Sequence, residues 1–581
     1  MKTGNFLSEF PPVPTEQWEQ AIRETVSGPD YAARLIWHPE EGLAIKPYYR
    51  AEDLVGLPCL DAAPGTFPYV RGTTATADWR IRETIDHPDP AKANRAACEA
   101  VAAGAEEVAF SNVRLASSSD IALLLANLHE IPVHFEGLKK ASVRVVANRL
   151  TNRPHLAGGA ADVDPLRDPD FTEELIRCVS SGFRPFVIHA DEYLESATGA
   201  IEEVGFAVSA GADFLDEMLE RGLPLDRVAG SVGFEFASGP EFFIQIAKLR
   251  AFRMVWAKIV ESFGGDAKSA KATVHSRTAR WNKTIYDPHV NILRATTEVI
   301  SSVMGGANSI SVAAFDECYR SPAESSRRLA RNTQLILKNE AMFARVADPV
   351  GGSYLIEALT DAIATKGWKL FQEIESAGGY CKARTAGVIG SVLEHCRAQR
   401  DKAVASRRIV LTGTSRFPDV ADKALDRVDP LRAGSAGRAA RAFEELRLRT
   451  ERAEMKGRSP KILLAEVGDA KMRSARSQFT AEFLACAGFS SETRVCERAE
   501  QIAASDADVL VLCSSDQEYL AIAEELIPAM KERGNGAQVL VAGNPETLEQ
   551  LRKLGVSDFI HVRSNAVDVL ARLQEQIGIE V

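Results

Sequence analysis

From about residue 80 to 365 the chain alternates short apolar runs with longer amphipathic stretches, and no other feature limits its fold so tightly. The runs EEVAFSN (106–112), VHFEG (133–137), RPFVIHA (184–190), RVAGSVG (227–233) and ATVHS (272–276) have the length and composition of strands. Between them, DPAKANRAACEAVAAG (89–104), SDIALLLANLH (119–129) and GAIEEVGFAVSAGADFLDEMLERG (199–222) place apolar residues three and four apart, and the last stops at Gly222 as a helix C-terminus should. Strands joined by helices pair in parallel, because each helix carries the chain back to the edge where the next strand starts. The stretch therefore predicts a parallel sheet covered by helices, and its length favours a closed (β/α)8 TIM-type barrel over an open doubly wound sheet. Residues 240–262 predict a further helix, with one face buried through Phe243, Ile246, Leu249, Trp256 and Ile259.

After Pro460 a second α/β pattern begins. KILLAEVG (461–468), VLVLCSS (509–515), QVLVAGN (538–544) and DFIHV (558–562) alternate with helical stretches at 471–487, 517–533, 546–554 and 564–576, which predicts a smaller, flavodoxin-like domain over 460–581. The barrel is assigned to 76–400. Between the two, 401–459 includes RAARAFEELRLRTERAEMKG, with opposite charges three and four apart, and reads as a charged, solvated linker. Residues 1–75 form an N-terminal arm and extended segment. Thr15 can cap a short helix there, and Trp18, Ile22 and Val26 make a narrow apolar stripe that needs either the chain's own core or a partner subunit. Residues 40–75, rich in Pro and Gly, read as irregular covering chain.

Composition narrows the function. Lys plus Arg number 69 against 80 Asp plus Glu, a net charge of −11, which speaks against a nucleic-acid partner. Nine cysteines stand singly with no C-x-x-C pair and read as reduced core thiols. No run approaches the roughly 18 apolar residues of a membrane span, and the opening MKTGNFLSEFPPVPTEQW has neither signal-peptide nor transit character. The expected setting is cytoplasmic, without a membrane partner.

Ligands of both predicted architectures bind at the carboxyl ends of strands. His189, ending FVIHADE, and His275, in ATVHSRTARW, are therefore either proton donors or structural histidines. DPVGGS (348–353) is either a phosphate-binding run or a turn, and it lacks the trailing Lys of a true phosphate loop. Ser514, Ser515 and Asp516 are either ligand contacts or a helix cap. The ten histidines show no metal-binding spacing, and no metal is expected.

Over about residues 240–380 the chain carries, in order, FFIQIAKLRAFRMVWAKI, DPHVNILRATTEVISSVMGGANSISVAAFDE, ARNTQLILKNE and DPVGGSYLIEALT. This series resembles the barrel of the methylmalonyl-CoA mutase family. Upstream, FPPVPTEQWE and PYVRGTT resemble the small, or beta, subunit of the heterodimeric bacterial enzyme more than its catalytic large, or alpha, subunit. The C-terminal sheet stands where the family has its cobalamin domain. The resemblance implies chemistry that begins with homolysis of the cobalt–carbon bond of adenosylcobalamin and ends with transfer of a thioester carbonyl between neighbouring carbons.

Set against that family, the site positions are replaced together. The cobalt-ligating histidine of Asp-x-His-x-x-Gly aligns with Lys471 and the motif's glycine with Ser474. An ammonium group has no lone pair for cobalt, and a side chain at 474 narrows the room for the nucleotide tail. A single glycine, Gly543, stands where cobalamin binders resemble one another in having a pair. Where catalytic subunits have Arg-Gln-Tyr, this chain has Arg71-Gly72-Thr73, and the Tyr-His pair aligns with Tyr193-Leu194. The coenzyme-A-contacting Arg-Thr-His-Ser-Gln-Thr-Ser-Gly-Trp aligns with residues 273–281, where His275, Ser276, Thr278 and Trp281 persist and Arg280 replaces glycine, which should fill the channel. The resemblance thus implies no catalytic residue (Thr73 and Leu194 stand in those places), residual substrate contacts at Arg71, His275, Ser276 and Thr278, and adenosylcobalamin held by the partner large subunit and not by this chain. The reading is a non-catalytic small subunit. The alternatives are a free-standing coenzyme-A-binding barrel with a cobalamin-independent or regulatory role, and a catalytic mutase chain that borrows cobalamin from another subunit.

Overall fold

A computed structural model describes residues 13–25, 31–39, 42–138, 140–152, 159–163, 184–196, 198–429, 432 and 437–579. Eight parallel strands close a barrel in sequence order: β1 (Arg80–Asp86), β2 (Glu107–Ser111), β3 (Val133–Glu136), β4 (Ala160–Val163), β5 (Arg184–His189), β6 (Val232–Ser238), β7 (Thr273–Thr278) and β8 (Ser309–Ser311). This is the expected TIM-type architecture. β1, β4 and β8 were not marked by apolar runs, because one face of each is polar or small: Arg82 and Thr84 alternate with Ile81 and Ile85 in β1, and Ser309 and Ser311 flank Ile310 in β8. The run at 227–233 is a correction. Pro224 starts a short helix, Leu225–Ala229, and the strand begins only at Val232.

The helices cover the barrel because their apolar faces match its outer surface. Asp89, ahead of Pro90, accepts from Lys92 N and caps Pro90–Ala102, and Ser117 caps Ser118–Leu124 in the same way. The helices Ala200–Glu220, Phe242–Ser262 and Tyr354–Ser376 pack so closely that a Cβ at Gly211 would meet Trp256 at 2.4 Å and one at Gly205 would meet Leu370 at 2.6 Å. Phe242–Ser262 is buried nearly all round and not on one face alone, and its Phe243 is 48% exposed. Two of its cations are matched by buried carboxylates: Lys248 Nζ lies 2.8 Å from Glu203, and Arg250 reaches Asp348 and Glu357.

The second sheet has five parallel strands, one more than the sequence predicts: β9 (Ile462–Glu466), β10 (Glu492–Val495), β11 (Val509–Cys513), β12 (Gln538–Val541) and β13 (Asp558–Phe559), in the order β10-β9-β11-β12-β13. That is the flavodoxin-like order, with its switch point between β9 and β11. β10, reading ETRV, escaped notice because all four residues are exposed at a sheet edge. Helix Arg441–Met455 is not the solvated element its charges suggested. Phe443 and Leu446 enter the core beneath the second sheet, and Arg447, Glu444 and Glu451 are buried against backbone of 413–425 and of Ile285.

In the arm, helix Thr15–Thr25 has no buried residue. Trp18 lies against Tyr48, with centroids 3.7 Å apart, and Arg50 donates to Thr15 and to the Val13 carbonyl. Val26 lies outside the described residues. No described helix is long and apolar enough to cross a membrane, and the described cysteines form no disulfide.

Candidate functional site

Strand register decides what faces the barrel lumen. Pairing of Arg82 with Glu107, His189 with Glu235, Glu235 with His275 and His275 with Ser309 sets these side chains side by side around the axis. The lumen is lined by charge, not by the branched aliphatic layers common in such barrels.

One layer joins Arg82, Glu107, His134, His275 and Ser309. Arg82 donates from Nε to Glu107 Oε2 at 3.0 Å and from Nη2 to Ser309 Oγ at 3.1 Å, while His134 Nε2 lies 3.1 Å from Glu107 and His275 Nδ1 lies 2.8 Å from Ser309 Oγ. Burial opposes ionisation of Glu107, but Arg82 and His134 outweigh it and hold the carboxyl well below its ordinary range. Burial, followed by Arg82, pushes both His134 and His275 down, so these imidazoles are neutral near pH 7. Arg82, Glu235 and His275 stand between two cavities. One of about 300 Å³ lies toward the amino ends of the strands, and one of about 420 Å³ runs from the carboxyl ends to helix Glu324–Asn339.

A second layer lies above, at the carboxyl ends. His189 sits between two carboxylates, with Nε2 2.9 Å from Asp162 and Nδ1 3.3 Å from Asp191. Burial would lower its pKa, but those two carboxylates raise it well above the usual value. Arg277 Nη1 lies 3.2 Å from Asp191 and 3.6 Å from Glu235. Burial, then Asp191, pushes Glu235 up to about 8, and burial, then Asp162, raises Glu136. Asp162 reaches this layer because β4 has an irregular register there and Asp162 takes φ +49°, so its side chain turns toward His189.

Of the residues singled out from sequence, His275 belongs to the first layer and His189 to the second. Thr278 lines the larger cavity, where its Oγ1 accepts from Ala313 N at 2.9 Å. Ser276 faces away from the lumen and meets Ser302 of the helix Val290–Met304 at 2.8 Å. Thr73 accepts from Asn308 at 3.0 Å, and Leu194 is buried against Ala237 and Ala279. Arg71 is engaged by Asp348 and Glu357, both at 3.6 Å, and Gly352 N donates to Glu357, so DPVGGS is a turn braced by ion pairs. Arg280 does not fill the channel. It lies at the rim, 2.9 Å from Glu317, and the lumen is occupied instead by Arg82, Glu107 and Arg277. Asp162, Glu107, Glu136 and Glu235 were not singled out from sequence, since each finds its partners only through strand register.

At the switch point of the second sheet, Asp469 accepts from Met472 N at 2.8 Å and caps helix Ala470–Ala485, which places Lys471 exposed in its first turn and Ser474 half-buried one turn on. Ser514 Oγ and Ser515 Oγ donate to Glu518 at 2.6 and 2.7 Å, and these bonds draw its carboxyl down to about 2. Glu518 covers the turn after β9: a Cβ on Gly468 would meet its carboxylate at 2.4 Å. A Cβ on Gly543 would meet Asp516, itself 3.0 Å from Arg476. Glu518 and Asp516 thus border the crevice where a flavodoxin-like sheet receives a ligand.

A family model described as methylmalonyl-CoA mutase matches residues 38–119 and 174–485. The methylmalonyl-CoA mutase small subunit of Porphyromonas gingivalis is 32% identical over 99% of this chain and 98% of its own length. That of Propionibacterium freudenreichii subsp. shermanii is 28% identical over 98% and 96%. The methylmalonyl-CoA mutase of Rhizobium meliloti is 28% identical over 73% of this chain and 67% of its own.

Proposed function

The chain belongs to the methylmalonyl-CoA mutase family, a family of cobalamin-dependent isomerases, and on that premise we propose that it is the non-catalytic small subunit of a heterodimeric mutase. In this reading the interconversion of methylmalonyl-CoA and succinyl-CoA takes place in the catalytic large subunit, which also holds the adenosylcobalamin. The observation that carries the reading is the charged layer across the barrel. A thioester arm reaching the centre along the axis would have to displace Arg82, Glu107 and His275, which are buried and bonded to one another or to Ser309. Separating such charges without replacing their partners costs several kcal/mol.

The residues at the second sheet do not fit a cobalamin either. Lys471 offers no lone pair, and Glu518 and Asp516 stand against the two glycines that border the crevice. The relatives named small subunits match this chain over nearly its full length, and the helix Thr15–Thr25, which has no buried residue and leaves Trp18 and Ile22 partly exposed, suits contact with a partner. The test is direct. After incubation with adenosylcobalamin and gel filtration, the isolated chain should carry no cobalamin absorbance, and stoichiometric retention would overturn the reading.

A further inference from the structure

We propose that the carboxyl end of the barrel lumen is a binding site for a divalent transition-metal cation, with Asp162, His189 and Glu235 as its ligands. The three come from neighbouring strands β4, β5 and β6, and a ligand atom from each lies within 4.8 Å of the others, close enough for one ion to bridge them. No local spacing announces them, because the register of three strands assembles the set.

Two further observations point to a ligand. His189 is oriented as metal-bound imidazoles are: a carboxylate, Asp191, lies 3.3 Å from Nδ1 and fixes the ring, so that Nε2 faces Asp162. Glu235 is 6% exposed and, among the described residues, accepts no hydrogen bond; its nearest cation is Arg277 at 3.6 Å. A buried acidic side chain left so poorly served is unusual, since such groups ordinarily take hydrogen bonds or coordinate a metal.

The charge balance agrees. Four acidic side chains, Glu136, Asp162, Asp191 and Glu235, converge on this end of the lumen against two basic ones, His189 and Arg277, whereas Arg331, Arg280 and Arg432 farther out pair with Glu83, Glu317 and Asp86. Both Glu136 and Glu235 line the 420 Å³ cavity, which gives an ion a way in and leaves coordination positions for water. One imidazole with two carboxylates suits Zn²⁺ or Mn²⁺ over the softer thiophilic ions.

The experiment uses the full chain, stripped with a chelator and titrated with Mn²⁺ (followed by loss of the free-ion paramagnetic resonance signal) and with Zn²⁺ by calorimetry. One ion per chain is expected. Glu235→Gln and Asp162→Asn, which keep side-chain size, should each weaken binding by more than about a hundredfold, and Asp191→Asn, which alters the group behind the imidazole and beside Arg277, by about ten- to a hundredfold. Circular dichroism confirms that each variant is folded, and His189→Ala is a further test where it folds. Absence of stoichiometric binding at millimolar ion, or binding unchanged in Glu235→Gln and Asp162→Asn, would overturn the proposal and leave the cluster as an ion-pair network.

Discussion

Arg82→Met tests whether the barrel lumen is packed or merely lined by charge. The guanidinium is 9% exposed and its main partner, Glu107, is 4% exposed, so the substitution strands a buried carboxylate. Removing one member of a buried pair costs about 3–5 kcal/mol. Here the lower end applies, about 3 kcal/mol, because Arg80 Nη1 stays 3.2 Å from Glu107 and His134 Nε2 3.1 Å. Replacing both partners removes the stranded charge. The double variant Arg82→Met with Glu107→Gln should therefore recover part of the loss, giving a coupling of about 2 kcal/mol. Urea unfolding followed by tryptophan fluorescence measures this, since Trp79 and Trp256 are buried in the barrel and report its transition. A cost below about 1 kcal/mol for Arg82→Met, or no coupling, would mean that water already solvates these charges. The lumen would then be an open channel that a thioester could enter.

The same layer should respond to acid. Because the folded-state pKa of Glu107 is depressed, its contribution is present above the ordinary value of 4.5 and is lost progressively as the pH falls below it, so urea midpoints should drop less steeply with acid in Glu107→Gln than in the native chain. Deleting residues 1–30 should leave the barrel folded but weaken association with the large subunit, by up to about 3–6 kcal/mol if Trp18 and Ile22 are both buried there. Sedimentation of full-length and truncated mixtures measures it, and precipitation of the truncated chain by itself would assign the arm to its own core. Lys471→His, alone or with Ser474→Gly, should not create cobalamin binding, because Glu518 and Asp516 still stand against Gly468 and Gly543. Spectral titration with adenosylcobalamin would expose the error if the double variant binds it.

The elements legible in the sequence are those with a strongly apolar outer face. β2, β3, β5 and β7 show as apolar runs because their outward residues, such as Phe110, Phe135, Phe186 and Val274, meet the covering helices. β1, β4 and β8 carry arginine, aspartate or serine inward, and alternation of that kind looks like surface chain until the barrel closes around it. Of the two charged layers, only His189 and His275 were legible, as isolated histidines. Glu107 is 168 positions from its layer-mate His275, and what unites them is register, to which no local spacing corresponds. Helix Arg441–Met455 misleads for a related reason. Glu444 and Glu451 satisfy backbone amides of Ile285, Ala424 and Leu425, so charges that suggested solvent are bonded inside the protein.

On the proposed reading the barrel keeps the family's fold without its chemistry. The isolated chain, supplied with adenosylcobalamin and methylmalonyl-CoA and rigorously freed of any large subunit, should form no succinyl-CoA, and activity should appear when a catalytic subunit with an intact Asp-x-His-x-x-Gly motif is added. Formation of succinyl-CoA by the isolated chain would contradict it.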